Sequence, residues 1–522
     1  MLAHVPTQTL LLHAPDPFQI RELIPDSKLL SVNGYNLAIK HTVASAKILR
    51  NIGVEAPMPI NVYYDWPGKY PPMSQQRTMA EFRTMHKQLF DLSEMGTGKT
   101  GGSLWAADYL MRTKSVRRAL VLCTLSQMSL TWQRDIFDIL PHRTSAIVHG
   151  SHEKRLEALQ SKVDFYILNH DGISLKEMAD TIRKRPDIDL VIVDEGGLFR
   201  NSGTARYKAL TKTIRPDMRL WWLTGTPCPH APTDVWAQAK LICPSRVPPF
   251  FGAFRRKTMV ELSKFKWKPV PGAYTIAYDA MQPAIRFKKS ECMDLPPVVT
   301  EDREAELTSE QKAAYKSMRH EMYMESLAAE AAGKPITAVN AADKLGKLRQ
   351  ILCGAIKRPG TEEYEVLPHG PRTQVLMEAI EGASAKVLVI VPFKGIIRSL
   401  EQEISKYYSV GVINGDVSLV KRTQIIEDFK TKADPHLLLC HPKVMSHGLN
   451  LVEADTLICY APFYSNDEYQ QMIERFNRKG QTRKMTIIRI AAHPLEWEIY
   501  NVIDIKGISQ DNILKLYRSV IS

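Results

Sequence analysis

Cysteine is scarce in this chain of 522 residues, and the seven that occur (Cys123, Cys228, Cys243, Cys292, Cys353, Cys440 and Cys459) form no CxxC pair. An odd, scattered set excludes a disulfide framework and a zinc site built from cysteine pairs, and it points to a reducing compartment. Long apolar runs are missing too. No stretch reaches the about 18 consecutive apolar residues of a helical span, so no membrane segment is expected. The opening residues, MLAHVPTQTLLLHAPDPF, lack a basic start and carry only a short apolar run, which does not fit a secretion signal. No repeat of fixed period and no low-complexity tract is present. Acid is in deficit: 69 Lys plus Arg face 56 Asp plus Glu, a formal charge of +13. That surplus suits a polyanionic partner and says nothing about the fold. An apolar fraction of 44% and a charged fraction of 24% exclude disorder or collagen-like repetition for the bulk of the chain. The length fits about three to four domains.

What is present is a recurring pattern. Short apolar runs are followed by turns and then by helical periodicity: RRALVLCTLS, DFYILNHDG, IDLVIVDEGG, LWWLTGTP, KVLVIVPFK, HLLLCHP and ADTLICYAP. Runs apolar on both faces suit buried parallel strands. Helical stretches such as SLWAADYLMRT and TQIIEDFKTK lie between them, so the expected class is α/β. The runs cluster twice. We expect an N-terminal module over 1–70, a first lobe over 71–240, a partly helical connector over 241–360, and a second lobe over 361–522. Within the connector, residues 250–268 mix aromatic and basic side chains, including Phe250, Phe251, Phe254, Arg255, Arg256, Lys257, Lys264, Phe265 and Trp267. That mixture fits either a core-packed helix with basic edges or a surface that grips a nucleic-acid strand.

The sharpest signal is Met95-Gly96-Thr97-Gly98-Lys99-Thr100. Glycines let backbone N–H groups close around a phosphate, and the following helix adds a positive end. Lys99 can reach the β- and γ-phosphates, and the Thr100 hydroxyl can sit on Mg²⁺. The full phosphate-loop pattern would place Gly at 93, where Ser93 stands. About 95 residues on, Asp194 and Glu195 end an apolar run, as metal-binding carboxylates at a strand terminus should. Asp194 would hold Mg²⁺, and Glu195, a second candidate metal contact, would orient and deprotonate the attacking water.

In order along the chain, Glu94–Thr100, Asp194-Glu195 and Leu223-Thr224-Gly225-Thr226-Pro227 resemble motifs I, II and III of superfamily-two helicases. Gly448-Leu449-Asn450-Leu451 with Ala454-Asp455 is similar to motif V. Gln471…Arg475…Arg478-Lys479-Gly480-Gln481 is similar to motif VI, and Asn414-Gly415 with Arg422 and Phe429 fits the pattern between them. The GLNL and RxGQ forms resemble the Snf-type, chromatin-remodeller-like branch. Leu295-Pro296-Pro297, LTSEQKAAY and KLRQIL resemble its connector. The resemblance covers about residues 72–515, and its compactness looks like members from bacteriophages and bacteria.

The resemblance implies two RecA-like lobes, with parallel sheets flanked by helices, that clasp Mg²⁺–ATP. It places Lys99, Asp194 and Glu195 on one lobe, and Arg475 and Arg478 on the other, with Arg478 as the finger. On a helix, residues three apart share a face, and a finger is worth about 10³ to 10⁵ in rate. The nucleotide set it implies is Gln76, Met95, Gly96, Thr97, Gly98, Lys99, Thr100, Gly448, Asn450, Gln471, Arg475 and Arg478; Gln75 competes with Gln76 for the adenine edge. Motif II reads DEGG where the branch has DEAH or DEAD, so Gly196 and Gly197 cannot couple it to motif III through a side chain.

For nucleic acid, the matching loops offer Thr124, Ser126, Asn169, His170, Lys394, Ser446 and His447, aimed mostly at phosphates. The expected activity is an ATP hydrolase that translocates on, or remodels, duplex or branched DNA without sequence preference, as a monomeric motor. Replication or recombination proteins are candidate partners, and the compartment is the cytoplasm (the host's, if viral). The alternatives are a strand-separating DNA or RNA helicase and, from another class, a non-hydrolysing DNA-binding scaffold.

Overall fold

The structure is a computed structural model. It describes residues 1–175, 177–229, 231–263, 266–292, 296–331, 338–358, 361, 363–445, 451–463, 466–477, 480–505, 516–517 and 519–520. The chain divides into two units, Met1–Met293 and Asp294–Ser522.

The first unit opens with an antiparallel sheet of β1 (Leu2–His4), β2 (Thr9–Leu12), β3 (Lys28–Val32) and β4 (Tyr35–Lys40), in the order β1-β2-β4-β3. Its main sheet holds β5 (Gln88–Asp91), β6 (Arg118–Cys123), β7 (Ser145–Val148), β8 (Phe165–Asn169), β9 (Ile188–Val193) and β10 (Arg219–Leu223). A hairpin follows, β11 (Met259–Ser263) and β12 (Lys266–Pro269), and then β13 (Ala284–Ile285) returns to the main sheet. The order is β13-β5-β10-β9-β6-β8-β7, and every pairing is parallel.

Successive residues of these strands fall into two cores. Leu89, Val121, Ile167, Ile192 and Trp221 belong to one, while Phe90, Leu120, Tyr166, Val191 and Trp222 belong to the other. Side chains alternate along a strand, so the two cores are the two faces of one sheet, both covered by helices. This is why the strands read as unbroken apolar runs.

The N-terminal sheet is not self-contained. Leu10, Leu12, Leu37 and Ile39 share the core that holds Ala80, Leu104, Trp105 and Leu89. Residues 250–268 form the helix Phe251–Thr258 and the β11–β12 hairpin. Phe254 is buried and Phe250 faces solvent, while the Arg255 guanidinium stacks 4.1 Å from the Trp267 ring. Lys264 and Phe265 lie outside the described residues.

The second unit is also α/β. Its sheet holds β14 (Val298–Glu304), β17 (Lys386–Ile390), β18 (Val410–Ile413), β19 (Leu437–Cys440), β20 (Ala454–Cys459) and β21 (Met485–Ala491), in the order β14-β21-β20-β17-β19-β18 and wholly parallel. The pair β15 (Ala355–Lys357) and β16 (Tyr364–Val366) stands apart. Helices Ser309–Ala331 and Ala338–Cys353 precede them. From the span read as connector, β13 thus goes to the first sheet and β14 to the second.

The connector-like sequences have structural work in the second unit. Gln311 Nε2 donates to the Ile351 and Leu352 carbonyls at 3.1 and 3.0 Å, tying LTSEQ to KLRQIL. Arg349 donates to the Pro462 carbonyl and lies over the Phe393 ring. All seven cysteines are unpaired thiols. No helix among the described residues is long and apolar enough to cross a membrane.

Candidate functional site

Strands β5 and β9 flank β10 in a parallel sheet, so their C-terminal ends share one edge. The glycine-rich loop leaves β5 and Asp194-Glu195 leaves β9, which brings the two strongest sequence signals to that edge. Such an edge is where parallel α/β sheets place ligands.

The loop is held from behind. Asp91, at the end of β5, pairs with Arg83 at 2.5 Å, both wholly buried, and accepts from the Ser93 N–H at 3.0 Å. Ser93 explains the departure from glycine: its hydroxyl accepts from the Phe287 N–H at 3.0 Å, so the side chain anchors the segment after β13. Gly96 (φ +81°) and Gly98 (φ +89°) adopt the left-handed backbone that residues with a Cβ rarely take. A Cβ at Gly98 would also lie 2.4 Å from Gln76 Nε2.

Both candidate glutamines touch this loop. Gln76 Nε2 donates to the Gly98 carbonyl at 3.2 Å, and Gln75 Nε2 to the Thr97 carbonyl at 3.4 Å. Thr97 is buried, with its hydroxyl on the Glu94 carbonyl at 2.7 Å, while Met95 and Thr100 are half-buried. Lys99 opens the helix Lys99–Arg112, and its Nζ donates to the Ser93 and Glu94 carbonyls at 2.7 and 3.0 Å.

The acidic pair is set differently for each member. Asp194 is buried; its Oδ2 accepts from Trp132 Nε1 at 3.0 Å and its Oδ1 from the Glu195 N–H at 3.0 Å. Burial first, and then the Glu195 charge, push its carboxyl up to about 6, against the pull of Lys99 and the Trp132 hydrogen bond. Glu195 has φ +50°, an uncommon conformation for a residue with a Cβ, and sits half-buried. No group of three or more His, Cys, Asp and Glu side chains able to hold a metal occurs among the described residues.

The second departure from pattern has a steric cause. A Cβ at Gly196 would lie 2.1 Å from Trp222 Nε1. That indole is buried and donates to Gln238 Oε1 at 2.9 Å. Motif II therefore lacks a side chain at 196 because a tryptophan of β10 fills the space. At Gly197 the nearest atoms are 3.5 Å away, on Thr224 and Thr226 of motif III.

The loop residues expected at nucleic acid are placed unequally. Thr124 Oγ1 donates to Gln127 Oε1 at 2.8 Å and lies 3.5 Å from the Ser126 hydroxyl, so both cap a turn after β6. Asn169 is half-buried. His170 is buried, and its Nε2 is bonded to the Asp194 backbone carbonyl at 2.8 Å. It stands behind the carboxylates and not on an open loop. Trp132 and His170 are the supports that sequence reasoning missed as such: they sit 62 and 24 residues from Asp194, with no motif to link them.

In the second unit, Lys394 is half-buried and pairs with Asp416 at 2.6 Å. Arg422 Nη2 donates to the Asn414 carbonyl at 3.2 Å and Phe429 is buried, so the intervening pattern is architectural. Gln481 is buried and donates to the Val452 and Ala454 carbonyls at 3.1 and 2.8 Å, joining motif VI to the start of β20. Gln471 lies half-buried on the helix Asn466–Phe476, and Arg475 belongs to its last turn. The Arg475 side chain, and all of Arg478, Ser446, His447, Gly448 and Asn450, lie outside the described residues.

Comparison with known proteins accounts for this layout. A phage protein, "Putative protein p41" of Acyrthosiphon pisum secondary endosymbiont phage 1, is 26% identical over 408 residues, covering 75% of this chain and 84% of that protein. An "Uncharacterized ATP-dependent helicase MG018" of Mycoplasma genitalium is 24% identical over 404 residues, 76% of this chain and 37% of that protein. The "SWI/SNF-related matrix-associated actin-dependent regulator of chromatin subfamily A-like protein 1" of Xenopus tropicalis is 22% identical over 441 residues, 80% of this chain and 43% of that protein. The chain therefore spans less than half of the two cellular relatives. The helicase conserved C-terminal domain matches residues 372–480. The SNF2-related domain matches residues 89–356, just over half of the 522, so the chain belongs to the SNF2-related family and its two parallel-sheet units are RecA-like lobes.

Proposed function

We propose that the chain is a DNA-dependent ATPase that uses hydrolysis to move along or remodel duplex or branched DNA. The observation that carries this reading is the shared edge of β5 and β9, where Lys99 on a glycine loop and the buried Asp194 stand two strands apart in one parallel sheet.

The residues present fit a magnesium-bound nucleoside triphosphate. Lys99 Nζ is held by backbone carbonyls, which it can exchange for phosphate oxygens. The turns at Gly96 and Gly98 and the first turn of a helix 14 residues long offer N–H groups to those oxygens. Two adjacent carboxylates and Thr100 suit a cation that takes only one or two protein carboxylates and completes its shell from phosphate and water. When bound, that nucleotide–metal group supplies the phosphoryl centre and the charge that neutralises its oxygens.

The chain does the rest. Asp194, fixed by Trp132 and by the Glu195 N–H, orients a single carboxylate toward the loop. Glu195 positions and deprotonates the attacking water. Lys99 stabilises charge on the transferred group. Arg475 and Arg478 add cations to the same charge, with Arg478 as the finger. Gln76, and beside it Gln75, steady the loop from the side where a base would lie. The relatives named for helicases and chromatin remodelling, together with the +13 charge, favour DNA as the polymer that stimulates turnover.

The test is ATP hydrolysis with duplex DNA, single strands, branched junctions or RNA at matched nucleotide concentration. Duplex or junction DNA should stimulate most, and stimulation should fall steeply with salt. Preferential stimulation by RNA would overturn the assignment of the substrate.

A further inference from the structure

A cavity in the first unit lies at the opposite end of the main sheet from the phosphate loop. It measures about 1240 Å³ and is lined by Gln88 and Arg219, the first residues of β5 and β10, and by the N-terminal module at 40–47. Its wall holds Lys40, Lys47, Lys87, Arg112, Arg219 and Arg246, and no Asp or Glu among the described residues. Arg112 is matched by Asp65 and Asp108 at 2.8 and 2.9 Å. The other five make no ion pair within 4.0 Å among the described residues.

These cations are held in place. Lys47 Nζ donates to the Met85 carbonyl at 3.0 Å, and Arg246 leans on the Asp279 carbonyl at 3.4 Å. The wall that carries Lys40 and Lys47 is pinned: Thr42 caps the helix Val43–Asn51, and the buried His41 ring bonds Tyr63 Oη at 2.8 Å and the Pro57 carbonyl at 2.7 Å. Burial lowers the Arg219 guanidinium, with only the more distant Asp189 opposing it. A partly desolvated cation facing others of its sign is costly until an anion enters.

The size narrows the anion. The volume is that of a sphere about 13 Å across. A small-molecule pocket runs to about 1,000 Å³, so the site suits something extended. The major groove of B-DNA alone is about 12 Å wide, so a whole duplex cannot enter. Lys40, Lys87 and Arg246 are exposed at the mouth, where a chain of phosphates could run out to solvent. We propose that this cavity binds the phosphodiester backbone of a single nucleic-acid strand, through Lys40, Lys47, Lys87, Arg219 and Arg246, as a second DNA contact remote from the ATP edge. The choice of nucleic acid over another polyanion rests on the motor reading above.

The test compares wild type with the triple variant K40E/K87E/R246E, three exposed positions outside the nucleotide site. Fluorescence anisotropy would follow a labelled single strand of about 20 nucleotides, the matching blunt duplex and a polyglutamate of equal charge, between about 50 and 200 mM salt. Hydrogen exchange at residues 40–47 and 84–88 would locate the contact. We expect single-strand affinity to fall at least about tenfold and its salt slope to drop by about 2, the share of three phosphate contacts at about 0.7 each. Duplex affinity should change less, and DNA-free ATP hydrolysis should not change.

Unchanged strand binding, equal losses for strand and duplex, or equal protection of 40–47 by polyglutamate would each overturn the proposal. Strand-dependent protection of 40–47 in a protein that does not hydrolyse ATP would support this site while removing the motor reading.

Discussion

At the scale of single residues, the two departures from the family's motifs resolve into packing. Ser93 replaces a glycine because its hydroxyl holds the Phe287 backbone, and Gly196 replaces a larger residue because Trp222 fills the space. Gly196→Ala should therefore destabilise the first unit by about 1–3 kcal/mol through overpacking. Adding Trp222→Phe, which removes the atom at 2.1 Å, should recover part of that loss in a double-mutant cycle read by denaturant unfolding. Simple additivity would contradict the steric account. Asp194 gives a pH prediction. Its folded pKa, raised to about 6, exceeds the ordinary aspartate value of 3.8, so the folded state holds the proton more tightly. The corresponding stability is fully present below about pH 3.8 and is lost as pH rises through about 6. In magnesium-free buffer, thermal stability relative to Asp194→Asn should fall between about pH 4 and 6; a constant difference would mean the carboxyl is not perturbed. The motif positions were legible in the sequence because short spacings fix them. The supporting roles of Trp132 and His170 were not, since nothing local marks a side chain that reaches Asp194 from a distant segment of the chain.

At the scale of elements, the strands read as unbroken apolar runs were legible because both faces of each sheet are covered. β5 (QLFD), β7 (SAIV) and β18 (VGVI) are only four residues long and gave too little pattern to stand out. The loop after β5 depends on a buried ion pair. Replacing Arg83 alone by Leu should cost about 3–5 kcal/mol, because Asp91 is left charged and unpaired, whereas replacing both by apolar residues should cost much less. Urea unfolding of the two variants beside the wild type checks this, and equal losses would show that the pair is not what anchors β5. The N-terminal module was expected as a separate piece, but its apolar strands complete the core over one face of the main sheet. A chain lacking residues 1–70 should expose Ala80, Leu104 and Trp105 and fail to unfold cooperatively by circular dichroism. A cooperative transition at the full-length midpoint would contradict the shared core.

At the scale of the whole molecule, the order of motifs along the chain carried more information than any one of them, since the main sheet of each unit is parallel and its C-terminal edge gathers distant segments. Composition contributed the charge surplus but not its location; the cavity of Lys40, Lys47 and Arg219 arises from strands and a helix far apart in sequence. The central claim is that the chain is a DNA-stimulated ATPase in which Lys99 and the acidic pair do catalytic work, Arg478 being the finger we propose. Steady-state hydrolysis, with and without duplex DNA, for wild type, Lys99→Ala and Arg478→Ala tests it most directly. The account predicts stimulated turnover in the wild type and a loss of at least about 10²-fold in each variant. Wild-type hydrolysis no faster than that of Lys99→Ala would contradict it and leave a DNA-binding scaffold.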